Sequence, residues 1–573
     1  MKKELMIMNV LNDISIKMCY HDYHDRSTKM KFHIEIIIVV CSLFSCHSVK
    51  VPPRVCLERG ACYEGGWMEN DSFASFQGIR YAKSPTGNLR FKSPVPHSEK
   101  DVWIDVSRES NITCSQLRNN VMEGQEDCLF LNIYVPRFQL KENKTKLPVM
   151  FWIHGGGFQN GGFVYQRYGP KYFMDKNVIM VVINYRLGPL GFFFMENDDV
   201  PGNTGLRDQS LALSWVHENI EAFGGDPESV TIFGESAGAA SVAYHITSPI
   251  SQGLFQRAIL QSGTAIAPAW GYVSPEHALE YASKSFEAME CDSEEDNLKC
   301  LQNKDIFDIL QLSYLVEGNL MWVPVNDNKT SNPFVPGNPK DLLKNGEFDK
   351  NIEVILGTNA DEGLLFIFNL ILDPTGWENF RNNFDILGPK LLFNIANPRD
   401  ITPTDVQNAL TIAEYYLGSI DNLNENHLDR IIDMFTDAGF LYGTIKTMFY
   451  LIKHSVKTYL YFLTYQGRFS YTQLYGIDPM GVCHADDLIY LWSPVFGIGE
   501  LALNAEESAI RDTMTTAWTN FALSGNPTPQ DQTWLPVTEK RLWNISSSVP
   551  DNEYLYQDYD WYARVLFWES VFA

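Results

Sequence analysis

The 573-residue sequence has no surplus of positive charge: 45 Lys and Arg stand against 70 Asp and Glu, a formal net charge of −25. That excludes the basic footprint of a nucleic-acid-binding protein; it argues for solubility and says little about fold. No apolar run reaches membrane-spanning length. Repeats, low-complexity tracts and long linkers are missing from residues 50–573. Cysteine is sparse, and ten in so long a chain rule out a small disulfide scaffold while leaving room for a few staples. No Cys/His spacing suits a metal site, so neither metal nor cofactor is expected. What remains, 45% hydrophobic and 13% aromatic residues, is enough to bury a large core.

The only strongly apolar segment near the start is Ile36–Phe44 (IIIVVCSLF). Lys29 and Lys31 precede it and Ser45, Cys46 and Ser48 follow, the layout of a secretory signal peptide at 30–48 cleaved after Ser48. Glu35 is out of place in such a signal, and a buried strand at Ile34–Val40 is the competing reading. Residues 1–29 are polar and unlike a signal's charged start; Met30 makes a cleaner beginning, so 1–29 reads as an upstream extension. The C-terminal FWESVFA carries neither an anchor signal nor a retention tetrapeptide. The expectation is a secreted protein with no membrane anchor. Beyond the leader, seven cysteines remain: Cys56/Cys62, Cys114/Cys128 and Cys291/Cys300 lie close in pairs, and Cys483 is left over. Closing the loop from Cys114 to Cys128 would stabilise by roughly 3 kcal/mol. Asn70, Asn111, Asn143, Asn328 and Asn544 sit in glycosylation sequons, a number that chance alone could supply.

Val149–Ile153, Val178–Ile183, Val230–Phe233 and Ala258–Leu260 are short runs apolar throughout, the pattern of strands covered on both faces. Between them Ser210–Phe223 places Leu211, Trp215, Val216 and Ile220 at helical spacing. Val354–Leu356 and Tyr459–Leu463 read as later strands, and Pro374–Lys457 as a mostly helical insertion over the sheet. Alternation of strand and helix predicts an α/β fold with a mostly parallel sheet, in one domain spanning 49–573.

Gly234-Glu235-Ser236-Ala237-Gly238 follows one of these strands and precedes a helix start at Ala239–Ala243. A sharp turn there would present the serine hydroxyl above the sheet. The pattern alone arises by chance roughly one time in five in a chain of this size, but its strand–turn–helix context strengthens it. His154-Gly155-Gly156-Gly157-Phe158 ends another strand, and a glycine run exposes N–H groups able to hold a developing oxyanion. A serine hydroxyl needs a base and the base needs an orienting acid. Gly357–Gly363 carries Asp361 and Glu362, between which the residues alone do not choose. Of the downstream histidines, His427 lies in a charged stretch and His454 in a helical one. His484 lies in a loop, where catalytic groups concentrate, and is the favoured base.

These motifs, with FQGIRYAKSPTGNLRF, EDCLFLNIYVP, NYRLGPLGF, DQSLALSWVHENIEAFGGDP, QSGTA and GVCHADDLIYLW, resemble the type-B carboxylesterases, the cholinesterase/carboxylesterase branch of the α/β hydrolases, and insect extracellular esterases especially. The resemblance runs from about Val55 to the end. It implies an α/β-hydrolase fold with helical cap insertions and hydrolysis of small-molecule esters. Ser236 would be the nucleophile, His484 the base and Glu362 the acid, with Gly156, Gly157 and Ala237 as oxyanion donors. Glu235 would sit beside the histidine and Ser262 near the acid, and Arg90 with Glu126 would form a structural ion pair. Cys114–Cys128 and Cys291–Cys300 match the family's usual disulfides; Cys56–Cys62 follows from spacing and the odd count. Leu320, Met321 and Trp322 fall where the family builds its acyl pocket and Trp270 would form another wall, with plain core packing the competing reading.

Two departures narrow the expectation. Cholinesterases carry a choline-binding tryptophan between the first paired cysteines, but Ser115–Asp127 contains no aromatic residue, which removes the basis for a cation–π site there. Juvenile hormone esterases usually carry Gln where Glu235 stands. The runner-up within enzymes is a specialised hormone, pheromone or odorant esterase. A neutral-lipid lipase would need an apolar lid that Pro374–Lys457 does not reveal. Outside enzymes the rival is a non-catalytic adhesion or binding member of the same fold. Cys483 beside the base reads as a buried small residue rather than a reactive thiol. Oligomeric state is not legible.

Overall fold

The structure is a computed structural model describing residues 51–572 apart from 59, 101, 119, 138, 140–144, 293–295, 315–321, 374, 396, 538–540, 548, 550 and 555–559. The expected leader at 30–48, the extension at 1–29, Asn143, Leu320 and Met321 therefore lie outside the described residues.

Eleven strands form the central sheet. In chain order they are β1 (Gly66–Met68), β2 (Phe73–Arg80), β3 (Phe130–Pro136), β4 (Leu147–Ile153), β5 (Ile179–Ile183), β6 (Gly225–Glu235), β7 (Arg257–Gln261), β8 (Glu353–Asn359), β9 (Lys457–Leu463), β10 (Arg541–Ile545) and β11 (Asp551–Tyr554). Their spatial order is β11-β10-β9-β8-β7-β6-β4-β5-β3-β2-β1. From β10 to β5 all neighbours run parallel, and antiparallel pairs close both edges. All seven residues of β4 and all five of β5 are buried, as expected for strands covered on both faces. Alternate side chains feed two cores. Val149, Phe151 and Ile153 join one and Met150 and Trp152 the other, so the period of two divides a continuous apolar run between the sheet's faces.

Helices cover both faces. α1 (Thr204–Asn219) and α2 (Ala237–Thr247) pack into the first core. The insertion between β8 and β9 joins them there, through α3 (Leu364–Leu372), α4 (Pro403–Leu417), α5 (Leu428–Thr436), a π-helical turn at Asp437–Leu441 and α6 (Tyr442–Lys453). On the opposite face α7 (Ala505–Ser524) places Ile510, Met514, Ala517, Trp518 and Phe521 in the second core. The α/β reading and the mostly helical insertion hold.

Boundaries differ at β6, which begins at Gly225 rather than the expected Val230, and at the first helix. The helix expected at Ser210–Phe223 starts six residues earlier, at Thr204, and its last turn is a 3-10 segment, Ile220–Phe223. The early turn is polar, so its periodicity is not apolar, yet it is buried because its charged side chains are paired. Arg207 pairs with Asp327 at 2.6 Å, and Asp208 receives Arg186 through two hydrogen bonds of 2.7 and 2.8 Å. Arg90 and Glu126 form a similar two-pronged pair, both bonds 2.7 Å. Three disulfides join Cys56 to Cys62, Cys114 to Cys128 and Cys291 to Cys300. Of the sequons, Asn70, Asn111 and Asn328 are exposed. Asn544 is corrected: it is buried in β10, its Oδ1 accepting from Thr464 Oγ1 at 2.6 Å, and a glycan has no room there in the folded chain. No helix among the described residues is long and apolar enough to cross a membrane.

The burial of Arg186 and Asp208 sets a stability expectation. Asp208→Ala leaves a guanidinium unpaired in the core and should cost about 3–5 kcal/mol, read as a lower urea midpoint. Glu221→Ala removes only the exposed partner of Lys146, 2.9 Å away, and should change stability by less than about 0.5 kcal/mol in the same titration.

Candidate active site

β4 lies between β5 and β6, so the chain leaves β4 in one direction for β5 and returns to its other side for β6. At such a switch point the carboxyl ends of two adjacent strands open a crevice. Ile153, which ends β4, is in register with Gly234 near the end of β6. The glycine run from Gly155 and the turn at Ser236 thus emerge side by side.

Ser236 links β6 directly to α2 and has φ 59° and ψ −125°, a conformation that costs a non-glycine residue free energy unless its surroundings impose it. Those surroundings are tight. Its N–H donates to Gln261 O (2.8 Å) and its carbonyl accepts from Ala240 N–H (2.9 Å). A Cβ on Gly238 would lie 2.0 Å from Ile153 O, so only glycine lets α2 approach β4 this closely. The glycine loop presses on the same turn: a Cβ on Gly155 would meet Glu235 Oε2 at 2.7 Å and Ser236 Cβ at 3.0 Å. Gly156 and Gly157 both have positive φ, 106° and 61°. Beneath them His154 stacks on Tyr185 (ring centroids 4.4 Å), and burial holds its pKa down to about 4.

Two further loops meet at this crevice. Glu362 follows β8 and is completely buried, its Oε1 accepting from Asn359 N–H (2.7 Å) and its Oε2 lying 2.6 Å from His484 Nδ1. Asp361 turns away: its Oδ2 accepts from Val482 N–H at 2.7 Å, and its own N–H donates to Val482 O at 2.9 Å. Asn359 Nδ2 donates to Cys483 O (2.8 Å). One carboxylate of the pair therefore reaches the histidine, and the other stitches the two loops together. His427 and His454 stand elsewhere, His427 capping α5 and His454 ending α6.

His484 is buried with a carboxylate at each ring nitrogen, Glu362 at Nδ1 and Glu235 Oε1 2.9 Å from Nε2. Burial alone would lower its pKa, but the charges of Glu235 and Glu362 outweigh that and raise it well above the ordinary value. Asp487 lies in the same acidic pocket, bonded by Gln261 Nε2 (2.6 Å); burial, reinforced by Glu235, pushes it up to about 7. Asp486, pushed up to about 7 mainly by burial, accepts from Cys483 N–H (2.9 Å) and Tyr471 N–H (2.6 Å) and shapes the loop. Cys483 is buried, and its thiol pKa is pushed well up by burial.

Ser262 stands at the base of the acid loop, its N–H donating to Gly357 O (2.9 Å) while its buried Oγ has no hydrogen-bond partner among the described residues. Trp270 donates from Nε1 to Gly439 O (2.9 Å) and packs against Phe440, 5.8 Å between centroids. Phe440 in turn covers the His484 ring at 4.5 Å. Trp322 stacks on Phe193 (5.8 Å) in the first core, its carbonyl accepting from Gln159 Nε2 at 3.1 Å beyond the glycine run. The contribution of Phe440 was not read from the sequence. It sits on a π-helical turn, a feature frequent at functional sites but without a residue pattern to announce it.

A mostly parallel sheet, a strained serine turn at its switch point and a histidine held by a carboxylate on later strand ends define an α/β hydrolase. The chain belongs to the carboxylesterase family: the model described as "Carboxylesterase family" matches residues 59–557. It is 36% identical over 489 residues to a juvenile hormone esterase of Tribolium castaneum, covering 81% of this chain and 82% of that protein. To venom carboxylesterase-6 of Apis mellifera it is 33% identical, covering 84% and 86%. To acetylcholinesterase 1 of Caenorhabditis elegans it is 32% identical, covering 79% and 75%. The protein is a carboxylic ester hydrolase.

The charge around His484 fixes a pH effect. With His484 as the general base proposed below, which works only when neutral, its raised pKa would place the acid limb of kcat/KM above the ordinary histidine range. Glu235→Gln removes one of the two negative charges that favour the imidazolium, so the acid limb should move to lower pH. The pH dependence of kcat/KM on a neutral ester measures the shift.

Proposed function

We propose that the chain is a secreted serine esterase that cleaves small-molecule carboxylic esters to an acid and an alcohol through an acyl-enzyme on Ser236. His484 takes the Ser236 proton as Oγ attacks the ester carbonyl; the N–H groups of Gly156, Gly157 and Ala237 hold the oxyanion that forms. His484 then protonates the departing alcohol. Water, deprotonated by the same imidazole, attacks the acyl carbon and releases the acid, restoring Ser236. Glu362 holds the ring through Nδ1 and stabilises the imidazolium. Glu235, one residue before the serine, faces Nε2, the nitrogen through which the proton passes.

The observation that carries this reading is the 2.6 Å contact between His484 Nδ1 and the buried Glu362, in a crevice shared with the strained Ser236 turn. Trp270, with Phe440 beside the base, is the favoured pocket wall; Trp322 contributes from behind the glycine loop. Ser262 supports the acid loop. The catalytic domain spans 49–573, with 30–48 a leader removed on secretion. Three disulfides suit an oxidising compartment, and the exposed Asn70, Asn111 and Asn328 suit glycosylation.

A second reading, a hormone, pheromone or odorant esterase, draws support from the relative named as a juvenile hormone esterase. Glu235, in place of that group's usual Gln, weighs toward the general enzyme. A non-catalytic binding protein would have no use for an intact Ser236, His484 and Glu362 together.

The test is hydrolysis of p-nitrophenyl acetate, butyrate and octanoate by the wild type and variants. Ser236→Ala should abolish catalysed turnover and Glu362→Gln should lower kcat by about 10⁴-fold, as loss of an orienting acid does elsewhere. A folded wild type no faster than Ser236→Ala on all three esters would reject the general esterase and favour the narrow-specificity reading.

A further inference from the structure

From the start of α2, next to the serine turn, runs a buried polar chain that the proposed mechanism does not use. It begins with Ser251 in the turn after α2, whose Oγ is 2.7 Å from His245 Nδ1. His245 Nε2 is 3.0 Å from Gln209 Oε1 on α1. Gln209 Nε2 donates to Ser241 Oγ at 3.1 Å, and Ser241 Oγ donates to Ala237 O at 2.9 Å. Ser251, His245, Gln209 and Ser241 are all within 1% of complete burial.

The direction of these bonds is forced from one end. A carbonyl only accepts, so the Ser241 proton goes to Ala237 O and Ser241 must accept from the Gln209 amide nitrogen. Gln209 Oε1 then faces His245 and needs a donor, which places the ring proton on Nε2. Nδ1 is left to accept from Ser251 Oγ–H at 2.7 Å, and the longer 3.3 Å contact between Ser251 Oγ and Ser210 Oγ is then donated by Ser210. Burial holds the His245 pKa down to about 3, so the ring stays neutral at any pH where the fold is expected to work. Four hydrogen bonds thus point the same way, and aligned bonds in a low dielectric reinforce one another. They end on the first residue of α2, which directly follows the strained Ser236.

We infer that this chain positions Ala237, so that His245, Gln209 and Ser241 act as positioning residues for the oxyanion-binding N–H of the nucleophile turn. The inference rests on the serine-esterase reading and adds residues that reading does not contain. None of the three touches the substrate. They act by holding the start of α2 against the strain at Ser236, where a small rotation would turn the Ala237 N–H away from the oxyanion. A displaced donor weakens the transition state and leaves ground-state binding nearly unchanged, because the oxyanion exists only in the former.

The test compares Ser241→Ala, which cuts the last link, and His245→Phe, which removes the middle, with Ser214→Ala. Ser214 Oγ bonds only its own helix, through Ser210 O at 3.0 Å, and serves as the control. Turnover of p-nitrophenyl butyrate is read with inhibition by an alkyl trifluoromethyl ketone. There Ser236 Oγ bonds to the carbonyl carbon, its proton passes to His484, and the carbonyl oxygen becomes an oxyanion. Ser241→Ala should lower kcat about tenfold, with KM within about twofold, and weaken the ketone by a similar factor. Its thermal midpoint should fall, because Gln209 Nε2 loses a buried acceptor, but the kinetic loss should persist well below that midpoint, and Ser214→Ala should match the wild type throughout. A folded Ser241→Ala with wild-type kcat and ketone affinity overturns the inference. So does a loss that appears in KM alone or that only tracks a lowered midpoint. If His245→Phe does not fold, Ser241→Ala decides. Failure of the underlying reading is separate: turnover by Ser236→Ala would remove the serine mechanism whatever Ser241 does.

Discussion

One residue in an unfavourable conformation organises this molecule. Ser236 at φ 59° and ψ −125° would relax if its neighbours allowed it, and they do not. β6 fixes it from before, α2 from behind, β7 through the carbonyl of Gln261, and the glycine loop from the side. The cost is met by the burial of strands such as β4 and β5, whose side chains fill cores on both faces of the sheet. A strained group kept in place by a rigid frame is how a hydroxyl can be presented at the end of a sheet without the freedom to turn away. The polar residues of α1 that look misplaced in its sequence belong to the same frame.

Charge is the second constraint. His484 sits between Glu235 and Glu362 with Asp487 nearby, a concentration of acid that a protein interior does not tolerate without compensation. The compensation is local: an imidazole able to carry a proton, backbone and amide donors to Glu362 and Asp487, and a pKa for Asp487 pushed up to about 7. Burial, reinforced by the charges of Asp486 and Glu362, keeps the adjacent Cys483 a thiol.

Much of this was legible because the strongest signals are local. Every central strand expected from an apolar run appears within a few residues of its place, since a strand buried on both faces leaves no polar position to blur it. The strand–turn–helix at Gly234–Gly238 was legible because only glycine fits where backbones approach as Gly238 does to Ile153. What resisted reading depends on partners distant in sequence. The start of α1 was misplaced because Arg207, Asp208 and Gln209 look exposed until Asp327, Arg186 and His245 are brought to them. Asp361 and Glu362 are adjacent and chemically alike, so the residues alone do not choose between them; the resemblance pointed to Glu362, and in the fold Glu362 reaches His484 while Asp361 binds Val482. Asn544 matched a sequon that is blind to burial. Phe440 reaches His484 from a helical insertion by a turn geometry that no local pattern encodes.

The central claim, that the strained serine is the nucleophile, is tested most directly by covalent trapping. Incubation with diethyl p-nitrophenyl phosphate should release p-nitrophenolate as the Ser236 Oγ–P bond forms. Peptide mapping by mass spectrometry should then find one diethylphosphoryl group per chain, on Ser236. Loss of esterase activity should follow the labelling in proportion. An unlabelled Ser236 in an inactivated enzyme, or full activity after complete labelling, would contradict the account.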